Sequence, residues 1–282
     1  EGVCAFKGGD EMEEAVIRTE KLVHTYPTGV TALREIDLSI YRNDKISIVG
    51  QNGSGKTTIV RHFNGLLRPT SGKVYLNGQD TTGQGVSQMS RQVGYVFQNP
   101  NHQIFCTSVR DELEAAPVNF KFSPEEVKRN VDEVVELMDL KDILDIHPMT
   151  LDYTTKKIVT IASVLTFKPD VLIMDEPTGG LDEAGRIMLT KIINMMHENG
   201  HTVVMISHDM DYVAENSDRV VVMCQGQVID DGKPEEIFTN AEVLKKAQIE
   251  PPQITQLDLA LQGGKAQSAA LSVEDFVRKY KS

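Results

Sequence analysis

The sequence predicts an α/β protein with a mixed, mainly parallel sheet. Two segments, 171–174 and 203–206, are almost continuously apolar, and residues 187–198 between them have helical spacing. Continuous apolar strands that alternate with helices are typical of a parallel sheet covered on both faces. A third short strand, 45–49, runs directly into a glycine-rich loop, and helical spacing follows over 57–67. These observations indicate α/β structure, and 282 residues suffice for one large α/β domain or for two small ones.

Antiparallel strands are predicted on both sides of the strand at 45–49. Residues 15–40 alternate apolar and polar side chains in two runs, which the turn-like Tyr26-Pro27-Thr28-Gly29 separates. Such alternation is typical of antiparallel strands at a sheet edge. Residues 73–76 lead into Asn77-Gly78, a strong hairpin signal, and 92–98 is predicted to be a further strand.

An amphipathic helix is predicted to begin after Ser123. Pro124 suits the first helical position, and Glu126 is placed to close a capping box with the serine. Apolar side chains then recur on one face, at Val127, Val131, Val134, Val135 and Met138. That face is expected to serve packing and not ligand binding.

Composition and charge narrow the class of protein. A formal charge of −12 disfavours a general nucleic-acid binder, which needs excess cations to displace counterions from phosphates. Cys4, Cys106 and Cys224 are too few and too scattered for a disulfide framework. The apolar runs are short compared with the ~20 residues of a membrane helix, and the first residues lack a secretory signal pattern. We therefore expect a soluble protein whose membrane role, if any, comes through partners.

A glycine-rich loop at 50–57 matches the pattern G-x-x-x-x-G-K-[ST] between a strand and a helix. In this context, backbone N–H groups surround the phosphates of a nucleotide, the lysine reaches the β- and γ-phosphates, and the threonine hydroxyl ligates Mg²⁺. The alternative is a glycine-rich turn with a surface lysine. The residues predicted to bind the nucleotide here are Gly50, Asn52, Gly53, Ser54, Gly55, Lys56, Thr57 and Thr58.

Two acids follow the buried strand 171–174. Alone, Asp175-Glu176 would be read as a polar strand end. Ligands of a parallel sheet bind at the carboxyl ends of its strands, however, and a phosphate loop needs a carboxylate near its metal. We therefore predict that Asp175 holds the magnesium shell and that Glu176 is the general base for an attacking water.

The order of these motifs resembles the ATP-binding cassette (ABC) family from about Ala15 to Ile249. The phosphate loop precedes VFQNP, a signature region, IMDEPTGGLD and ISHD. Several details, such as the segment from Gln98 to Gln103 and the early Tyr26-Pro27, resemble the ATPases of energy-coupling-factor (ECF) importers. The resemblance implies a P-loop NTPase (RecA-like) core, an antiparallel β edge subdomain and a helical subdomain at about 100–165.

The resemblance also implies roles for four further residues. Tyr26 would stack on adenine, Gln98 would touch Mg²⁺ and the attacking water, and His208 would bind the γ-phosphate and position Glu176. Asp182 would link the two sites of a dimer. Without the motif order, Tyr26, Gln98 and His208 have ordinary structural explanations: a tyrosine packed at a turn, a polar strand end and a satisfied histidine.

The signature region departs from the family pattern. ABC ATPases form head-to-tail dimers in which the LSGGQ signature of one chain completes the nucleotide site of the other. The aligned residues here are Leu151, Asp152, Tyr153, Thr154 and Thr155. At about 4 Å, the Asp152 charge would repel a phosphate by roughly 1–4 kcal/mol, and Tyr153 adds a ring where the backbone must approach closely. This chain's own phosphate loop is complete, whereas its signature is degenerate.

Two arrangements follow from this departure. In a heterodimer, a partner's intact signature would complete one competent site and leave a degenerate second site. In a homodimer, hydrolysis would be weakened. An engineered signature would also explain the change.

The resemblance implies an ATPase that uses ATP and Mg²⁺ to energise an ECF importer for vitamins or for cobalt or nickel. It would lie peripherally on the cytoplasmic face of the membrane, bound to a second ATPase and to integral membrane subunits, without nucleic acid. The alternatives are a subunit with little hydrolysis that stabilises a complex, and a soluble ABC protein acting on DNA or ribosomes. The expected organisation is a tail at 1–14, the ATP-binding domain at 15–250 and a C-terminal extension at 251–282, which is either a dimer contact or a loosely attached tail.

Overall fold

The computed structural model describes residues 15–263 and 269–281, so the predicted tail and Cys4 lie outside the described residues. The strands are β1 (Ala15–Thr25), β2 (Thr31–Tyr41), β3 (Lys45–Val49), β4 (Ser71–Leu76), β5 (Gln79–Asp80), β6 (Val93–Val96), β7 (Val171–Asp175), β8 (Thr202–Ile206), β9 (Arg219–Cys224) and β10 (Gln227–Gly232). The α-helices are α1 (Lys56–Phe63), α2 (Val86–Ser90), α3 (Val109–Asn119), α4 (Pro124–Leu137), α5 (Tyr153–Leu165), α6 (Glu183–Glu198), α7 (Met210–Asn216), α8 (Pro234–Thr239), α9 (Ala241–Ala247), α10 (Gln253–Leu261) and α11 (Val273–Tyr280).

The central sheet has the order β10-β9-β3-β8-β7-β6, in which β10 is antiparallel to its neighbour and the other pairs are parallel. A second, antiparallel sheet has the order β2-β1-β4-β5. The predicted mixed, mainly parallel sheet with an antiparallel edge unit is confirmed. Every residue of β7 and β8 is buried, as their continuous apolar sequences require.

The two faces of the central sheet pack against different elements. One face joins the antiparallel sheet and α1 in a core that includes Ile48, Ile59 and Leu33. The other face packs against α3–α6, with Leu172, Val159 and other apolar side chains between them. The sheet is therefore covered on both sides, and its strand ends remain as the place where polar side chains can gather.

Two helices differ from their predicted bounds because of local capping. Helix α1 ends at Phe63 and not at 67, since Gly65 adopts a left-handed φ of 78° and donates from its N–H to His62 O at 3.3 Å. Helix α6 begins at Glu183 and not at 187, since the Asp182 carboxylate accepts the Gly185 N–H at 2.8 Å. The spacing of hydrophobic residues along the sequence does not reveal either cap.

The predicted capping box at the start of α4 is present. The Ser123 hydroxyl accepts the Glu126 N–H at 3.2 Å, and the Glu126 carboxylate accepts the Ser123 N–H at 2.9 Å. Val127, Val131 and Val134 are buried on the face that packs against the helical region, as expected. Among the described residues, Cys106 and Cys224 are free thiols.

Candidate nucleotide site

The glycine-rich loop joins β3 to α1, and two of its glycines lie where a side chain would clash with neighbouring backbone. A Cβ on Gly50 would lie 2.1 Å from the Met223 carbonyl oxygen, and one on Gly55 would lie 2.8 Å from the Ala32 carbonyl oxygen. Both glycines also have positive φ, of 144° and 106°. The loop is therefore wound tightly, with its backbone close to the start of α1, where the helix dipole favours an anion.

Lys56 is buried at the first position of α1, with 7% of its surface exposed. Its Nζ donates to the carbonyl oxygens of Gly50 at 2.7 Å and Gln51 at 3.1 Å. Burial lowers the pKa of Lys56, and the charges of Glu176 and Asp175 oppose that shift. The ammonium group is thus held against the loop by neutral acceptors, which a phosphate can replace.

Asp175 and Glu176 lie at the carboxyl end of β7 and have different partners. Asp175 accepts a hydrogen bond from the Tyr95 hydroxyl at 2.9 Å. Burial and then the Asp175 charge raise the pKa of Tyr95, so its hydroxyl remains a donor. The Glu176 carboxylate Oε2 lies 2.7 Å from His208 Nδ1 and 3.3 Å from the His208 backbone nitrogen. The arrangement leaves the two acids available for separate tasks.

His208 follows β8, the strand between β3 and β7. Its side chain is 71% exposed, whereas the Glu176 side chain is 11% exposed. With Nδ1 toward Glu176, Nε2 is the ring nitrogen left for a ligand. The sheet order therefore brings the phosphate loop, the acid pair and the histidine to one edge.

A cleft of about 920 Å³ lies at this edge. Tyr26 lies on it, with its hydroxyl 3.1 Å from Thr58 Oγ1. Gln98 lies on it too, in a loop that Gln103 fastens by accepting the Phe97 N–H at 3.1 Å and donating to Thr160 O at 2.8 Å. The predicted site residues that line the cleft are Tyr26, Gly50, Asn52, Gly53, Gly55, Lys56, Thr57, Thr58, Gln98, Asp175, Glu176 and His208. Ser54 is buried within the loop, at 1% exposure.

Sequence reasoning missed a second wall of the cleft. The segment 248–256, which leads from α9 into the first turn of α10, lines it together with Met210 and Asp211 of α7. The backbone N–H of Gln253 donates to Asp211 Oδ1 at 3.0 Å, which holds this segment beside the loop that carries His208. The lining residues of the segment are Gln248, Ile249, Glu250, Pro251, Pro252, Gln253 and Gln256. Residues 252–257 are a further detail that resembles the ECF ATPases, but neither that resemblance nor the linker-like Pro251-Pro252 predicts that the segment lies beside the cleft.

The segment predicted to be a degenerate signature, 151–155, leads into helix α5 and does not line this cleft. Asp152 is the N-cap of α5, because its carboxylate accepts the Thr155 N–H at 3.0 Å and the Thr155 hydroxyl at 2.6 Å. These hydrogen bonds lower the pKa of Asp152, so it is charged at neutral pH. The Tyr153 hydroxyl donates to Gln98 O at 3.4 Å. Leu151 and Thr154 are half-buried beside it.

The oxygen donors on the cleft suit Mg²⁺. A carboxylate, a threonine hydroxyl and a glutamine amide oxygen, from Asp175, Thr57 and Gln98, are the ligand types that this ion prefers, with phosphate oxygens completing the shell. Within residues 15–263 and 269–281, no group of three or more His, Cys, Asp or Glu side chains is placed to hold a metal by itself. Within the same residues, no helix has the length and apolar character needed to cross a membrane.

Comparison with known proteins agrees with this geometry. A family model described as ABC transporter matches residues 33–179. The energy-coupling factor transporter ATP-binding protein EcfA of Methanoculleus marisnigri is 36% identical over 267 residues, which cover 94% of this chain and 96% of the relative.

Two solved structures show the same fold. The structure of cbiO1 from Clostridium perfringens, part of the ABC transporter complex cbiONQ, has a TM-score of 0.74 at 34% identity and covers 89% of this chain and 98% of its own. A dimeric ATP-binding cassette in a post-hydrolysis state, bound to ADP and Pi, has a TM-score of 0.70 at 26% identity, with 77% and 98% covered.

Proposed function

Because this chain belongs to the ABC transporter family, we propose that it binds and hydrolyses ATP to energise a membrane importer of the ECF type. One observation carries the proposal: the phosphate loop, Asp175, Glu176 and His208 meet in a single cleft although they lie far apart in the sequence. The EcfA relative and the cbiO1 structure support the ECF assignment. Uptake of a vitamin, or of cobalt or nickel, is the transport expected of this type.

The chain's own residues supply the steps of hydrolysis. Lys56 exchanges its two carbonyl acceptors for β- and γ-phosphate oxygens. The Glu176 carboxylate takes a proton from a water that attacks the γ-phosphorus in line with the leaving β-phosphate oxygen. His208 holds that carboxylate through Nδ1 and offers Nε2 to a γ-phosphate oxygen. Thr57, Asp175 and Gln98 would hold Mg²⁺, which neutralises charge that develops on the phosphates.

The adenine and the dimer partner have their own proposed contacts. Tyr26 would stack on the base at the end of the cleft formed by the β1–β2 turn. Asp182 would contact the partner chain's site from the turn before α6. A second ATPase with an intact signature would cover this chain's cleft, as LSGGQ segments do in the family.

The degenerate signature supports an asymmetric dimer. A family signature offers backbone N–H groups and a serine hydroxyl to the partner's phosphate. Here the Thr155 N–H is already bonded to the charged Asp152 carboxylate. The phosphate held by the partner's loop would thus meet a carboxylate, so we expect the competent site to be the one built on this chain's phosphate loop.

The proposed location is peripheral, on the cytoplasmic face of the membrane. The loop that carries Gln98 touches both the cleft and α5, so a membrane subunit docked beside it would sense the state of the nucleotide. A subunit with little hydrolysis that stabilises a complex is the second candidate, favoured by Asp152 and Tyr153.

The test isolates the tagged chain from its native membranes in mild detergent, identifies co-purifying proteins by mass, and measures ATP hydrolysis by that complex. We expect a second ATPase with an intact signature, together with integral membrane subunits. Replacing Glu176 with Gln should lower the rate about 100-fold or more while ATP still binds. Recovery of the chain alone, or of ribosomal or DNA-repair components, would overturn the importer. An unchanged rate with E176Q would favour the second candidate.

A further inference from the structure

Lys157 is a fully buried cation that the proposed chemistry does not use. It lies in α5 with 0% of its surface exposed. Its Nζ donates to the carbonyl oxygen of Glu176 at 2.7 Å and to that of Gly179 at 3.0 Å. Burial lowers the pKa of Lys157 to about 8, and the charges of Glu176 and Asp175 oppose the shift. A methionine would fill the same space without this cost, so the ammonium group needs an explanation beyond packing.

The backbone that Lys157 holds is strained. Glu176 has a φ of 49°, in the left-handed region that residues other than glycine rarely adopt. Its N–H donates to Ile206 O at 2.9 Å, and its carboxylate meets His208. The Lys157 ammonium supplies the third restraint, on the carbonyl. Glu176 is therefore fixed through its N–H, its C=O and its side chain.

Helix α5 touches the same turn at a second point. The Tyr153 ring occupies the space beside Gly180, where a Cβ would lie 2.5 Å from the Tyr153 Cε1 atom. The Lys157 Nζ lies 5.9 Å from the centre of that ring. One turn of α5 thus contacts the segment 176–180 through two side chains. That turn starts at the signature, the segment that the family presents to a partner's nucleotide.

We propose that Lys157 is a positioning residue for ATP hydrolysis. It holds the Glu176 backbone in its left-handed conformation so that the carboxylate faces the cleft, and it links any movement of α5 to that carboxylate. The proposal rests on the proposed function, because it assigns Glu176 as the base. It predicts that the charge at position 157 governs turnover and leaves nucleotide binding alone.

The test compares Lys157→Met, Lys157→Arg and a control, Lys191→Met, an exposed lysine of α6, in the assembled complex. We expect K157M to lower kcat about 100-fold, the loss typical of a catalytic group misplaced by about 1 Å, with the Kd for ATP within about twofold of wild type. K157R keeps a donor and should restore most of the rate. K191M should leave kcat unchanged.

A double variant separates positioning from a general structural role. If Lys157 acts through Glu176, adding K157M to E176Q should not lower the residual rate further, because both changes disable the same group, the Glu176 carboxylate. An additive loss, a kcat of K157M within about twofold of wild type, or a K157M chain that no longer binds ATP would each overturn the proposal. If the E176Q variant hydrolyses ATP at the wild-type rate, the proposed function itself is wrong. That outcome differs from failure of the Lys157 proposal alone, in which E176Q loses activity and K157M does not.

Discussion

Tyr26 shows how a residue at a strand end becomes part of a ligand site. Its backbone N–H donates to Val30 O at 2.9 Å, which closes the turn between β1 and β2, and its ring lies edge-on to His24 at 4.6 Å. The hydroxyl reaches Thr58 in the first turn of α1. The ring is therefore held at the mouth of the cleft before any nucleotide arrives.

Replacing Tyr26 with Ala should weaken ATP binding about tenfold, since stacking of a base on an aromatic ring contributes roughly 1–3 kcal/mol. Every base presents a π-face, so GTP binding should weaken by a similar factor. Fluorescence titration of the purified chain with each nucleotide measures both. Tyr26→Phe loses only the bond to Thr58 and should bind ATP within about twofold of wild type. If Y26F binds as poorly as Y26A, the hydroxyl is the important group and stacking is not.

At the scale of an element, helix α5 is well capped at the position where its family pattern is broken. Aspartate and serine are both good N-cap residues, so Asp152 preserves the helix while it changes the charge that the helix presents. Helix stability therefore does not explain the departure. The negative charge of Asp152 acts instead on any ligand that binds in front of the first turn of α5.

Restoring the family pattern should raise the affinity of the complex for a second ATP. Asp152→Asn keeps the cap and removes the charge, so we expect the weaker site to bind ATP about tenfold more tightly, from relief of roughly 1–4 kcal/mol of repulsion. The full change to Ser-Gly-Gly-Gln at 152–155 should add hydrolysis at that site. An equilibrium binding titration that gives both the affinity for ATP and the number of ATP molecules bound per complex measures the first effect. A count and affinity unchanged in both variants would contradict a site weakened by its signature.

Helices α10 and α11 are joined by one buried carboxylate. Asp258 is 0% exposed and accepts hydrogen bonds from the Ala270 N–H at 2.6 Å, the Lys279 Nζ at 2.9 Å and the Tyr280 hydroxyl at 2.7 Å. Burial alone would raise the pKa of Asp258, but these bonds and one from Gln262 outweigh it and lower the pKa to about 2. A carboxylate with a lowered pKa stabilises the folded state above its ordinary pKa.

Replacing Asp258 with Asn should loosen the C-terminal extension at neutral pH. Leaving buried donors without their charged acceptor costs about 1–3 kcal/mol, which hydrogen exchange over 253–261 would detect as faster exchange. The difference between wild type and D258N should shrink as the pH falls from about 4 towards about 2, where the wild-type carboxyl is protonated too. Asp275→Asn, on the exposed start of α11, serves as control. A difference independent of pH would contradict the ionic role of Asp258.

At the scale of the whole molecule, three regions compose the cleft: the strand ends of the central sheet, the β1–β2 turn and the segment that leads into the extension. The extension also presents an apolar surface, to which Leu257, Leu261, Val273 and Val277 contribute exposed side chains. The ECF resemblance implies that such an extension contacts its counterpart in a dimer. We therefore propose this surface as part of the contact.

Changing Leu257 and Leu261 together to Glu should weaken dimerisation about tenfold or more, because both side chains are about half exposed, at 47% and 60%, and their contact would bury apolar area. Sedimentation of the purified complex of this chain with its partner ATPase, in the presence of ATP, measures the dimerisation constant. A matched change of Lys191 to Glu should leave the constant unchanged. If the double variant dimerises as wild type does, the extension is an attached tail and not a contact.

Much of the fold was accessible from the sequence because it depends on local patterns. Continuous apolar strands indicate burial on both faces, and the serine–proline–glutamate start of α4 is a capping signal; both predictions are confirmed. The predicted end of α1 and the predicted start of α6 were each wrong by four residues. A left-handed glycine and an aspartate cap set those ends, and neither alters the hydrophobic spacing.

The identity of the candidate site residues was determined by the sequence, since the phosphate loop and the acids after β7 are recognisable from their order alone. Their meeting was decided by the tertiary structure: β3, β8 and β7 lie side by side, so residues 50–57, 176 and 208 reach one edge. The wall formed by 248–256 and the bond from Lys157 to the Glu176 backbone also belong to the tertiary level. They depend on packing between segments distant along the chain, which composition and spacing do not encode.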